Sequence, residues 1–136
     1  MGSNSAGYAT VPCAAVGYQR FTHYTYKSPT VPIHIVAVEY CWLGFEVPKG
    51  YHIHHLDHDR GNWHVANLAL LTETQHHLHG AFGEALRDYY TPEELRQFTD
   101  ENIARARQEI TEGTPIRRLV TFDDFRRMVQ RYSMHK

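Results

Sequence analysis

"YHIHHLDHDRGNWHVANLALLTETQHHLHG", residues 51–80, holds eight of the chain's eleven histidines. A metal store, a pH switch and a catalytic site could each use so many imidazoles, and the residues between them must decide. Tyr51 to His55 reads as a short strand, followed by a loop rich in Asp, Gly and Asn up to Asn67. Leu68 to Leu71 is a second, apolar strand. Thr72 can cap a helix, with Gln75 completing a capping box, and that helix is expected to run through the histidines to about Gly83. The pattern is strand, polar loop, strand, helix, with histidines where a hairpin packed on a helix brings them together. Adjacent residues of a strand point to opposite faces. His54 and His55 therefore suit two different tasks, one ring holding a metal while its neighbour faces a substrate.

Outward from this stretch the chain reads as a mixture of strands and helices, an α+β domain. Tyr18 to Tyr26 alternates aromatic and polar residues as a half-buried strand does, residues 27–30 supply a turn, and residues 31–34 return as its partner. From His34 to Trp42 the apolar residues Ile35, Val38 and Trp42 recur at helical spacing, widened by Val36 and Leu43, and Gly44 ends the helix. Residues 91–94, "TPEE", open another helix, with Thr91 as cap, Pro92 in the first turn and Glu94 closing the box; it should reach about Glu112. Gly113 to Pro115 break the chain. Thr121 and Asp124 begin a last helix with Phe122, Phe125, Met128, Val129 and Tyr132 on its apolar side.

At 136 residues, 42% of them hydrophobic, the chain suits one domain with a real core. No apolar run approaches the ~20 residues of a membrane span, and Met1 to Pro12 lacks the pattern of a signal peptide. Cys13 and Cys41 stand alone, with no CxxC pair, which indicates neither a disulfide framework nor a cysteine zinc ribbon and favours a reducing cytoplasm. The formal net charge of −1 does not advertise nucleic-acid binding, but its distribution is uneven. Residues 73–112 carry nine acids against four arginines, whereas residues 113–136 carry six cations against two acids. The basic tail, through Arg117, Arg118, Arg126, Arg127 and Arg131, could meet phosphate; a solvated helix face explains it as well. The acidic segment is ill suited to phosphate and reads as a packing or dimerisation element.

The run "HHLDHDRGNWHVANLALLTETQH", with "VPIHIVAVEYCWLGFEVPKGYHI" before it, resembles the HNH endonuclease family, in particular its phage and intron homing-endonuclease branch. The likeness spans roughly residues 18–80. It implies a ββα-metal (His-Me finger) core at about 51–83 within a nuclease domain of residues 18–83. A flexible N-terminal segment of residues 1–17 precedes this domain, and a helical C-terminal extension of residues 84–136 follows it. By position, the resemblance makes His55 the general base, His54 and His76 metal ligands, and His79 a further ligand. Asn67 becomes the residue that fixes the loop and orients the base, and Asp57 and Asn62 supporting loop residues. The sequence departs from the pattern where His58 and Asp59 replace the usual Gly-Asn, where Trp63 replaces a loop asparagine, and where Gly80 stands in place of a ligand. The implied setting is the cytoplasm of a bacterial or phage-infected cell, with DNA as partner and a homodimer through the C-terminal helices as an option.

The chemistry of these residues agrees. Phosphodiester hydrolysis needs a water activated, aligned and attacking, and a leaving 3′ oxygen stabilised. A neutral imidazole suits the first task, and a divalent cation the last. Imidazole ligands tolerate Mg²⁺ and suit Mn²⁺, Ni²⁺ or Zn²⁺ better. Arg60 is either a phosphate contact or a solvated loop cation, and Trp63 reads as a packing anchor. Two rival functions are a catalytically silent DNA-binding or regulatory protein on the same fold, and a histidine-rich metal-binding protein. The second leaves Asn67 without a role.

Overall fold

The computed structural model describes residues 2–3, 7–18, 29–76 and 90–134. Strands β1 (Gly2–Ser3), β2 (Ala9–Pro12) and β3 (Thr30–Pro32) form an antiparallel sheet with β2 in the middle. Helix α1 (Ile33–Val38) follows β3 without a loop and continues as a π-turn, Glu39–Leu43. The hairpin β4 (Tyr51–His55) and β5 (Leu68–Thr72) comes next, then a helical turn at 73–76, helix α2 (Pro92–Gln108) and helix α3 (Phe122–Met134).

Two expectations change at the N-terminus. The strand expected at 18–26 falls almost wholly outside the described residues, and the partner of β3 is β2, in register Val11↔Val31. Residues 9–16, expected to be flexible, instead form that strand and a 3-10 turn. The reason is burial: Val11 and Val31 are both core residues, and short β-branched Thr10-Val11 suits a covered strand. The return strand also stops earlier than residue 34. Pro32 stays extended, and Ile33 begins the helix that brings His34, Val36 and Ala37 under cover.

Gly44 closes the π-turn in the left-handed conformation, with φ 84°, its N–H donating to the Glu39 carbonyl at 2.8 Å. A side chain there would also put its Cβ 2.8 Å from the Arg117 carbonyl oxygen, so glycine is required twice over. The contact docks the segment after α2 onto the π-turn, with Arg117 N–H donating to Gly44 O.

The core joins both ends of the chain. Val11, Ile33, Val36 and Leu70 pack with Ala106 of α2 and with Phe125 and Val129 of α3. Burying Phe125 fully contributes roughly 2–3 kcal/mol. A smaller cluster forms on the other face of β5, where Ala69 and Leu71 meet Leu95 of α2. Helix α2 has the expected capping box at Thr91 and Glu94, and ends at Gln108 rather than Glu112. The buried residues of α2 and α3 face the chain's own core, so they are not available as a dimer face. No helix among the described residues is long and apolar enough to cross a membrane.

Candidate functional site

Strand alternation separates the two adjacent histidines. Tyr51 and Ile53 pack against the main core, and His55 follows them on the same face, buried. His52 and His54 take the opposite face, toward the helical turn that carries His76. There the rings of His54 and His76 lie 5.9 Å apart, edge to face, and His52 stacks on His76 at 5.0 Å. His58 turns its ring edge-on to His54 at 5.4 Å.

That helical turn is held in place from both sides. Thr72 N–H donates to Gln75 Oε1 and Gln75 N–H to Thr72 Oγ1, the expected capping box. Asn102 of α2, buried, adds a second donor to the same Gln75 oxygen at 3.1 Å and reaches the Leu70 carbonyl at 2.8 Å. Thr99 accepts from Leu70 N–H at 3.2 Å. These two polar residues satisfy the outward edge of β5, which would otherwise lie buried and unpaired. The acidic segment thus supplies the brace beneath the junction of β5 and the histidine-bearing turn. Sequence reading missed Thr99 and Asn102; the signal available was two polar residues on the inner face of an amphipathic helix.

The loop between the strands is locked around Asp57. One carboxylate oxygen accepts from Asn67 Nδ2 at 2.9 Å and Asp59 N–H at 2.8 Å, and the other from Asn62 Nδ2 at 2.9 Å. Asn67 reciprocates by accepting Asp57 N–H and also donates to the Asn62 carbonyl. The Asn62 amide, the Asp59 N–H and the Asn67 amide hold the Asp57 carboxyl down at about 2. Asp57, Asn62 and Asn67 therefore come together as a unit. His58 sits in this loop with φ 61°, the left-handed conformation that favours glycine. His64 accepts Ala66 N–H through Nδ1 and rests on Phe122 at 4.2 Å, while Trp63 packs on Phe122 and Phe125. Trp63 is the expected packing anchor, and His64 shares its contact with Phe122.

His55 has neighbours that the sequence did not suggest. Its ring is 4.7 Å from that of His34 and 5.5 Å from that of Tyr8. Burial pushes the imidazole below its ordinary 6.5; Asp57 and Asp59 pull it back up, and Arg60 lowers it further. Nε2 is buried and finds no hydrogen-bond partner among the described residues. His34, in the same pocket of rings, is pushed down to about 3, by burial first and by His55 second. A ring kept neutral in this way can accept a proton near neutral pH.

The face that carries His54 and His76 would suit a two-imidazole metal set. A ring centre lies ~3 Å from an ion that its nitrogen ligates, so centres 5.9 Å apart can flank one ion. Among the described residues no group of three His, Cys, Asp or Glu has ligand spacing. Two ligands leave coordination positions for water and phosphate. His79 lies outside the described residues.

The arginines expected to meet DNA are not equivalent. Arg117 lies over the Tyr40 ring, 3.3 Å from its centre, and serves packing. Arg126 and Arg127 pair with Asp123 and Asp124 at 2.9 and 3.2 Å on the exposed face of α3. Arg118 and Arg131 are exposed, with no ion pair among the described residues. Arg60 lies over Tyr8, 5.1 Å from the ring centre.

In comparison with known proteins, residues 31–78 fit the family model described as HNH endonuclease. No curated protein and no solved structure matches the chain.

Proposed function

We propose, for a chain whose residues 31–78 match the HNH endonuclease family model, a metal-dependent endonuclease that hydrolyses DNA to 5′-phosphate and 3′-hydroxyl ends. One observation carries this reading. Strand β4 turns His55 to the core side and His54 to the other, where His76 stands within reach of a shared ion. His54 and His76 would hold the divalent ion, with His79 as a further ligand. Mg²⁺ or Mn²⁺ is the expected ion, and Ni²⁺ or Zn²⁺ are alternatives that imidazoles accept. When bound, the ion supplies Lewis acidity at the scissile phosphate and the leaving oxygen.

The chain's own residues do the rest. His55 takes a proton from the attacking water as its oxygen bonds to phosphorus; the P–O3′ bond breaks, and the 3′ oxygen acquires a proton from solvent. With Nε2 buried, Nδ1 is the nitrogen that accepts. Asn67 and Asp57 keep the loop closed next to His55 through their reciprocal hydrogen bonds. Arg60, Arg118 and Arg131 offer cations to the DNA backbone.

The test is nicking of supercoiled plasmid by purified protein across a series of divalent metals. Chelator should stop the reaction, and full-rate cleavage in excess chelator refutes the metal role. His55→Ala should lose ~10²–10⁴-fold in turnover, as removal of a general base does, while metal binding by calorimetry persists. His76→Ala should weaken metal binding and be partly rescued by high metal concentration. The reverse pattern exchanges the two roles. The burial of His55 favours a second reading, a DNA-binding protein without turnover. That reading stands if DNA is bound and no metal supports nicking.

A further inference from the structure

Tyr8 lies outside the residues that match the family model, yet it reaches the centre of the site. It precedes β2, whose Val11 is fully buried and whose pairing with β3 leads directly into α1 and His34. The rings of Tyr8, His34 and His55 form a closed triangle: 4.8 Å from Tyr8 to His34, 5.5 Å from Tyr8 to His55 and 4.7 Å from His34 to His55. Tyr8 also carries the Arg60 guanidinium on its ring, and the next residue, Ala9, donates its N–H to the Arg60 carbonyl at 3.4 Å. The same short segment therefore grips both the ring of His55 and the loop that follows it.

An imidazole on a strand end can rotate about two side-chain torsions, and a base must hold one orientation to meet an aligned water. Elsewhere a hydrogen bond on the second ring nitrogen sets that orientation. Here the buried Nε2 has no such partner among the described residues, so ring packing is what fixes the plane. We propose that Tyr8 is a positioning residue for His55, clamping the imidazole against His34 and tying the catalytic loop to β2 through Arg60. This rests on His55 being the general base.

The test uses the full chain. Tyr8→Ala should lower kcat for plasmid nicking about tenfold, as loss of base alignment does, with KM within about twofold of the original. Tyr8→Phe should recover kcat to within about twofold, because the ring and not the hydroxyl makes the contacts. Tyr8→Leu fills the space without a ring and should behave as Tyr8→Ala; it keeps the comparison interpretable if Tyr8→Ala fails to fold. Long-range ¹H–¹⁵N spectra of the histidine rings supply a readout that does not need turnover. The His55 ring should give one sharp tautomer in the parent and in Tyr8→Phe, and shifted or exchange-broadened signals in Tyr8→Leu. Parent-like kcat in Tyr8→Ala and Tyr8→Leu overturns the proposal, and so do unchanged His55 ring signals in Tyr8→Leu. A His55→Ala protein that nicks as fast as the parent refutes the base assignment instead, and the ring spectra then decide the clamp by themselves.

Discussion

Replacing His34 by Phe should flatten the acid sensitivity of folding. The folded ring binds a proton only near pH 3, against an ordinary value of 6.5. Between those two values the unfolded chain carries a proton that the folded chain refuses, so falling pH favours unfolding. The penalty begins below 6.5 and grows by about 1.4 kcal/mol per pH unit, reaching about 2 kcal/mol at pH 5. It levels off only when the folded ring itself titrates, near 3. Phe keeps a ring beside Tyr8 and His55 but cannot be protonated. Urea unfolding at pH 7.5 and pH 5, in chelator, gives the stability change for parent and variant. The parent should lose about 2 kcal/mol more than His34→Phe over that interval. Equal losses would refute the claim that His34 is buried neutral, whatever the absolute stability of the variant.

Three further outcomes can be checked independently. Asn102→Ala leaves the Leu70 carbonyl buried and removes a hold on Gln75, so it should destabilise by about 1–3 kcal/mol in urea unfolding and, if His76 holds the proposed ion, weaken metal binding in calorimetry. His58→Gly relieves a left-handed φ and should stabilise the protein by ~0.5–1 kcal/mol, read as a higher midpoint of unfolding. Arg118→Ala and Arg131→Ala should each reduce the slope of log DNA affinity against log salt by about 0.9. Arg126→Ala and Arg127→Ala should change it less, because each already faces an aspartate.

The hairpin and its turn were legible because their signals are local. Alternation placed β4, an apolar run placed β5, and Thr72 with Gln75 marked the start of the histidine-bearing turn. Local too was the partnership of Arg126 and Arg127 with acids three residues before them, which the tally of net charge concealed. What escaped sequence reading depends on the tertiary fold. The aromatic alternation at 18–26 offers the stronger sequence signal for a partner of β3, and a four-residue strand at Ala9–Pro12 carries too little pattern to compete. His34 gives no sign in sequence that it will meet His55, because the contact requires β2, β3 and α1 to assemble first. Thr99 and Asn102 look like breaks in an apolar face until the unpaired edge of β5 is set against them. Asn67 was placed by resemblance, and its hydrogen bonds to Asp57 and Asn62 are what the geometry adds.

The seating of Trp63 on Phe122 and Phe125 bears on how the proposed nuclease could be rebuilt by recombination. A catalytic motif that is self-sufficient can be cut out, fused elsewhere and exchanged among hosts as a cassette. Here the loop following the histidine pair leans on the last helix of the chain, and Phe125 and Val129 complete the same core that holds Val11. A breakpoint placed just after the family segment would remove a wall of the loop along with the tail. Successful exchanges should therefore carry the final helix with the motif, or supply a new aromatic surface for Trp63 to rest on.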